Sequence, residues 1–127
     1  MPWWRNMRAE DIVARQLDAY NAKDIYGFMS CWAENAEIFA HPDVLLARGH
    51  ADIRARHVLR FQEPDLFAHL VSRIVMGNRV VDTELVTRNF PEGVGQVDVI
   101  GIYEIEDSLI ARAWFLMGEP RLAPAHP

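Results

Sequence analysis

The sequence predicts a single α+β domain, with helices gathered near the N-terminus and a β-meander after them. Three observations carry this. Apolar residues recur at three- and four-residue spacing in the first third of the chain, strand-like runs separated by turn residues fill the second half, and 127 residues at 50% hydrophobic suffice for one core but not two.

Over residues 8–22, Ala9, Ile12, Val13, Leu17 and Tyr20 form one apolar stripe with Glu10 and Asp11 in the first turn, the mark of an amphipathic helix. Residues 21–24 break that pattern, and Asp24 is placed to cap a short second helix whose stripe is Ile25, Phe28, Met29 and Trp32. A strand is expected over 36–41, stopped by His41-Pro42-Asp43 because proline cannot pair and disfavours helical angles before it. A short extended piece over 45–47 follows. Gly49 opens a third helix carrying Ile53, His57 and Phe61 on one face, with Asp52 in its first turn, until Glu63-Pro64 ends it. The remaining strands are expected over 66–76, 79–90, 96–105 and 109–118, divided by Gly77-Asn78, Pro91-Glu92-Gly93 and Glu106-Asp107-Ser108.

A two-residue turn at Gly77-Asn78 pairs Ile74 with Val81, Ser72 with Thr83, Leu70 with Leu85 and Ala68 with Thr87 on one face. Arg73–Asp82 and Val71–Glu84 then fall on the opposite face, so Arg73, Asp82, Glu84 and Arg88 read as a solvated or interfacial charge ladder. The last strand is apolar on both sides, with Ala113, Phe115 and Met117 on one and Trp114 and Leu116 beside Arg112 on the other. Helices can cover only one face, so a second copy is expected over Trp114 and Leu116, as a two-fold dimer.

Eighteen acidic against thirteen basic residues give a net charge of −5, with no Lys/Arg stripe along any element, which argues against nucleic acid and anionic membrane as partners. The single Cys31 cannot form an intramolecular disulfide, which suits a reducing, cytoplasmic setting. No apolar run approaches the roughly 18 residues of a membrane span, and the start has no apolar core of signal-peptide length. Trp3 and Trp4 either dock on the domain or a partner or, as expected, belong to an N-terminal tail with one loosely packed Trp, and the proline-bearing residues 123–127 are expected to fray. There is no glycine-rich dinucleotide turn, phosphate loop or nucleophile-elbow serine, and His50 and His57, seven apart, lack the spacing of a helical zinc site. No cofactor and no metal is expected.

The runs Gln16-Leu17-Asp18-Ala19-Tyr20-Asn21-Ala22-Lys23-Asp24, Ala33-Glu34-Asn35-Ala36-Glu37 and Arg48-Gly49-His50-Ala51-Asp52-Ile53-Arg54, with Ala113-Trp114-Phe115-Leu116-Met117-Gly118-Glu119 at the end, resemble the nuclear transport factor 2-like superfamily. The closest resemblance is to its SnoaL-like and ketosteroid-isomerase-like branch, over nearly the whole chain. It implies a cone-shaped fold, three N-terminal helices packed in a strongly curved, mixed but mostly antiparallel sheet, with a pocket at the wide end and dimerisation through the convex face. Members include isomerases, cyclases, hydrolases, dehydratases and pure binding proteins, so the fold does not settle activity.

Register with ketosteroid isomerases places Gln16 where their oxyanion-hole tyrosine stands and His57 where a neighbouring tyrosine stands, so these two are expected to share a cavity. His57 is also a candidate general acid or base, together with His41 and Asp43; otherwise Gln16 and His57 each serve as a hydrogen-bonded group sealing the core. His41 and Asp43 lie near the family's general-base aspartate, whose direct counterpart is Ala40; as catalysts they would move protons, and otherwise they make a turn. Tyr20, Met29, Trp32, Phe61, Thr83, Thr87, Phe115 and Met117 are the expected pocket wall, although aromatic and Met stripes at such spacing also build cores. Cys31 has no activating base beside it and reads as an inert thiol. With Ala40, Gln16 and Gly101 at the three aligned catalytic positions, an efficient ketosteroid isomerase is not expected, since that reaction needs a carboxylate base and two acidic donors. Two readings stay open: a cofactor-free isomerase, cyclase or hydratase working on an apolar carbonyl compound, and a non-catalytic binding or scaffold domain.

Overall fold

The computed structural model describes residues 8–124; Trp3, Trp4 and the last three residues lie outside this range. Helix α1 (Ala9–Asn21) starts where Arg8 N–H donates to the Asp11 carboxylate at 3.0 Å, and it buries Ile12, Val13, Gln16, Leu17 and Ala19. The Asp24 side chain caps α2 (Ile25–Met29) by accepting from Gly27 N–H at 3.0 Å. Trp32, expected on the stripe of α2, instead opens strand β1 (Trp32–Ala40), because the chain turns at Ser30-Cys31 and Cys31 C=O is taken by Ile110 N–H. Strand β2 (Val44–Arg48) and helix α3 (Gly49–Arg60) follow, Gly49 supplying a φ of 83° at the junction. The second half is β3 (Phe67–Met76), β4 (Arg79–Phe90), β5 (Gly93–Glu106) and β6 (Leu109–Met117), as expected, plus a short β7 (Arg121–Leu122) that the proline-rich end did not suggest.

These strands form one curved, unclosed sheet in the order β2-β1-β6-β5-β4-β3, with β7 on β5. Only the β1–β6 pairing is parallel, so the sheet is mixed and mostly antiparallel. Helices α1 and α3 lie in its concave side, where Phe28, Trp32, Ile38, Ile53, Val80 and Ile110 make a fully buried core. No helix among the described residues is long and apolar enough to cross a membrane. At the outer edge of β3, the Asn21 side-chain amide donates to Ala68 C=O at 2.9 Å and accepts from Ala68 N–H at 2.8 Å.

The β3–β4 hairpin departs from the expected arrangement in two ways. Its register holds from Met76–Arg79 to Ser72–Thr83, then shifts, so that Leu70 pairs with Glu84 and Ala68 with Val86. Val71 is the extra residue of this bulge, which bends the strand at its middle. The faces are also exchanged. Val80, Asp82, Glu84 and Val86 are buried on the concave side, while Thr83 and Thr87 face the convex side, Thr83 bonded to Ser72 and Thr87 to Gln96. The alternating charges, expected to pair across strands in a solvated or interfacial ladder, instead face the interior, where unpaired charge is costly. Here Arg73 donates two hydrogen bonds to Asp82, at 2.7 and 2.8 Å, so the charges enter the interior as a pair.

Gly101 sits between Asp82 and Phe115 in the sheet, and a Cβ there would stand 3.0 Å from Tyr103 Cε2, 3.1 Å from the Tyr103 hydroxyl and 3.1 Å from Phe115 Cε1. The Tyr103 ring folds back over the bare backbone. Gly101→Ala is therefore expected to lower stability by about 1–2 kcal/mol, because overpacking against two rings outweighs the entropy that alanine removes from the unfolded chain. Urea unfolding of the two proteins checks this, and equal midpoints would show the rings yield freely.

Candidate functional site

A half-open cavity of about 420 Å³ lies between α3 and the concave sheet. That size falls within the range of small-molecule sites. Its apolar wall comes from Ile38, Leu46, Val86, Val97, Val99, Phe115 and Met117, contributed by five strands. Its polar groups are Tyr20 from α1, Arg56, His57 and Arg60 from α3, His41 from the end of β1, and Glu84 and Arg88 from β4. Strand alternation places Val86, Glu84 and Arg88 on one face, and the helical repeat places Arg56 and Arg60 one turn apart.

Glu84 is the chemically distinctive group. It is 7% exposed, and among the described residues its carboxyl accepts no hydrogen bond. Burial, reinforced by the nearby Asp82 charge and only partly opposed by Arg73, pushes its pKa up to about 7. A carboxyl that exchanges its proton near neutrality is suited to general acid–base work. Behind it, Asp82 is held by Arg73, and Tyr103, completely buried and so kept protonated, hydrogen-bonds to Gln16.

His57 lines the cavity with its neutral form. Its Nδ1 lies 2.8 Å from Ile53 C=O, and since a carbonyl can only accept, the proton sits on Nδ1 and Nε2 is an acceptor. Burial, with help from Arg60 and Arg56, holds its pKa down to about 4, while the Ile53 bond works against that. Its ring packs 4.3 Å from Phe28. Tyr20 reaches Arg60 with its hydroxyl, and burial raises its pKa.

The three arginines are unequally matched. Arg88 makes two hydrogen bonds to Glu63, at 3.0 and 2.8 Å, and Arg60 approaches the same carboxylate at 3.5 Å. Burial pushes the Glu63 pKa up, but the Arg88 bonds, Asn89 N–H and the two cations more than reverse this. Arg56, half-buried at the cavity wall, pairs with no carboxylate among the described residues, and its pKa is lowered by burial and by Arg60 and Arg88.

Of the residues expected at a site, Tyr20, His41, His57, Phe115 and Met117 meet at this cavity. Asp43 is exposed in the turn beyond β1 and does not line it. Gln16 is 4% exposed behind the wall, its amide donating to Val13 C=O at 3.3 Å, so it does not share the cavity with His57. Met29 and Trp32 are core, Phe61 packs edge-on against Tyr20 at 5.4 Å beneath the wall, and Thr83 and Thr87 are on the other side of the sheet. Glu84, Arg56, Arg60 and Arg88 had no place in the expected site. For Glu84 and Arg88 the missing signal was the inward face of β4; for Arg56 and Arg60 it was their i,i+4 spacing beside His57.

A curved mixed sheet wrapped around helices is the architecture of a cystatin-like α+β fold. The SnoaL-like domain family model matches residues 13–113, and the chain belongs to that family. Among solved structures, an uncharacterised cystatin-fold protein from Novosphingobium aromaticivorans is similar at 23% identity, covering 87% of this chain and 99% of that one, with a TM-score of 0.81. A proposed polyketide cyclase from Sinorhizobium meliloti is similar at 20% identity over 87% and 100% of the two chains, with a TM-score of 0.72. A proposed ketosteroid isomerase from Kribbella flavida has 15% identity over 93% and 83%, with a TM-score of 0.75. These likenesses establish the fold. No curated protein matches the chain.

Proposed function

We propose that this protein is a cofactor-independent proton-transfer enzyme, of the isomerase or cyclase type, acting on a carbonyl compound with an apolar body. The observation that carries the reading is Glu84: a buried carboxyl without a hydrogen-bond partner among the described residues, facing a cavity whose other polar groups are arginines, a tyrosine and two histidines. As carboxylate, Glu84 removes a proton from the carbon next to the carbonyl and returns it elsewhere on the substrate. The Tyr20 hydroxyl and the Arg60 guanidinium it meets supply donor and positive character for the oxyanion that forms. His57, neutral with Nε2 free, and His41 at the mouth orient the substrate or relay the proton. The similar proposed cyclase and proposed isomerase support this reaction class. The aligned ketosteroid-isomerase positions, Ala40, Gln16 and Gly101, do not supply that enzyme's groups, so a different constellation serves here.

The test is solvent exchange. In D2O, a panel of carbonyl compounds with apolar bodies of graded size is incubated with the protein, and deuterium at the α-carbon is followed by NMR. Protein-dependent incorporation with one panel member is expected; its absence throughout the panel would leave the binding-domain reading.

The working unit is proposed to be a homodimer joined by convex sheet faces, in a reducing cytoplasm that suits the buried Cys31. Phe39 stacks on Trp114 at 5.7 Å, next to Ile102, Leu116 and the 38%-exposed Ile100, which supports an apolar contact. Trp114→Asp is expected to shift sedimentation from dimer to monomer at micromolar concentration. A wild-type monomer under those conditions overturns the idea.

A further inference from the structure

We infer that the substrate carries an anionic head, a carboxylate, which the Arg56 guanidinium receives while the apolar body lies along Val86, Val97, Val99 and Phe115. This rests on the proton-transfer reading for the same cavity and adds the substrate's charge class to it. Three guanidiniums, from Arg56, Arg60 and Arg88, line the cavity, and Glu63 accounts for two of them. The third, on Arg56, has no carboxylate among the described residues. Neighbouring cations repel one another, and a half-buried guanidinium beside two others gains from an anion that enters with the ligand. In a chain of net charge −5, a local cationic excess on the helix side of the cavity marks where a negative group belongs.

A guanidinium presents donors in a planar fork that matches the two oxygens of a carboxylate, so this head group can be bound in a fixed orientation. Arg60, one helical turn further along α3, and Tyr20, which meets Arg60, extend the donor surface on the same side. Glu84 stands on the opposing sheet wall. It repels a second carboxylate, so the acid group is directed to the helix side and the reacting carbon to the sheet side.

Binding, read by titration calorimetry, separates this inference from the catalytic one. Benzoate, 2-naphthoate and decanoate are each compared with the corresponding neutral amide. At least one carboxylate is expected to bind wild-type protein about tenfold or more tightly than its amide, as a charge-assisted fork contact implies. Arg56→Met should abolish that preference, costing the carboxylate far more affinity than its amide, and Arg56→Lys should keep part of it, because charge remains but the fork does not. Glu84→Gln, which should be silent in deuterium exchange, should keep the preference or increase it, since a repelling charge is gone. The inference is overturned if all three carboxylates bind no better than their amides, or if Arg56→Met retains the preference. If the preference follows Arg56 but no exchange is found, the charge class stands and the catalytic reading fails.

Discussion

Glu84→Gln is expected to lower α-proton exchange by on the order of 10²–10⁴-fold, the usual contribution of a positioned general base, with the fold intact. The wild-type kcat/KM should rise with pH through about 7 and then level, because the carboxylate is the active form and its pKa is about 7 in the free protein. The same substitution has a stability signature. An acid raised from 4.5 to about 7 favours the folded state fully below pH 4.5, and that advantage is lost as pH rises towards 7. Removing the ionisable group therefore stabilises the protein at pH 8 relative to pH 4 by about 3 kcal/mol, the equivalent of the shift. Thermal or urea unfolding at the two pH values reads this out. An active glutamine variant, or a pH-independent effect on stability, would remove Glu84 from its role.

Asp82→Asn should be more damaging to the fold. Asp82 is fully buried and takes both Arg73 hydrogen bonds, so the amide leaves a guanidinium, 19% exposed, without a counter-charge. Breaking one side of a buried pair costs about 3–5 kcal/mol, a large part of the 5–15 kcal/mol that holds a typical domain. The protein that remains folded is expected to work with its pH midpoint moved below 7. The Asp82 charge holds the Glu84 pKa up and the Arg73 charge holds it down, so losing the first while freeing the second acts in one direction. A midpoint unchanged in the variant would mean burial alone sets the Glu84 proton affinity.

Element order was legible because it rests on local signals: the stripe from Ile12 to Tyr20, the Asp24 cap, the prolines at 42 and 64, and turn residues between strands. The family followed from short runs spread over the chain, and the matched span of residues 13–113 bears it out. The site was legible only in part. Tyr20, His57, His41, Phe115 and Met117 were placed by their elements. Glu84 and Arg88 were lost because period-two alternation fixes which residues share a face without saying which face is inward. Val81, Thr83, Leu85 and Thr87 look more apolar than Asp82, Glu84 and Arg88, so burial of the charged set becomes visible only when the partners Arg73 and Glu63 are brought together in space. The bulge at Val71 left no trace in composition, and it moved Ala68 and Leu70 to new partners.

The side-chain amide of Asn21 has a consequence for how the protein behaves in a crowded solution. Strand β3 ends the sheet, and an end strand with free N–H and C=O groups is a template on which another chain can continue the ladder. At Ala68 both groups are already taken by Asn21, which imitates one residue of a neighbouring strand and then stops. A few residues on, the Val71 bulge interrupts the regular spacing that an incoming strand would need. The first half of β3 is thereby closed to intermolecular strand addition, so an incoming strand cannot extend the sheet along that stretch.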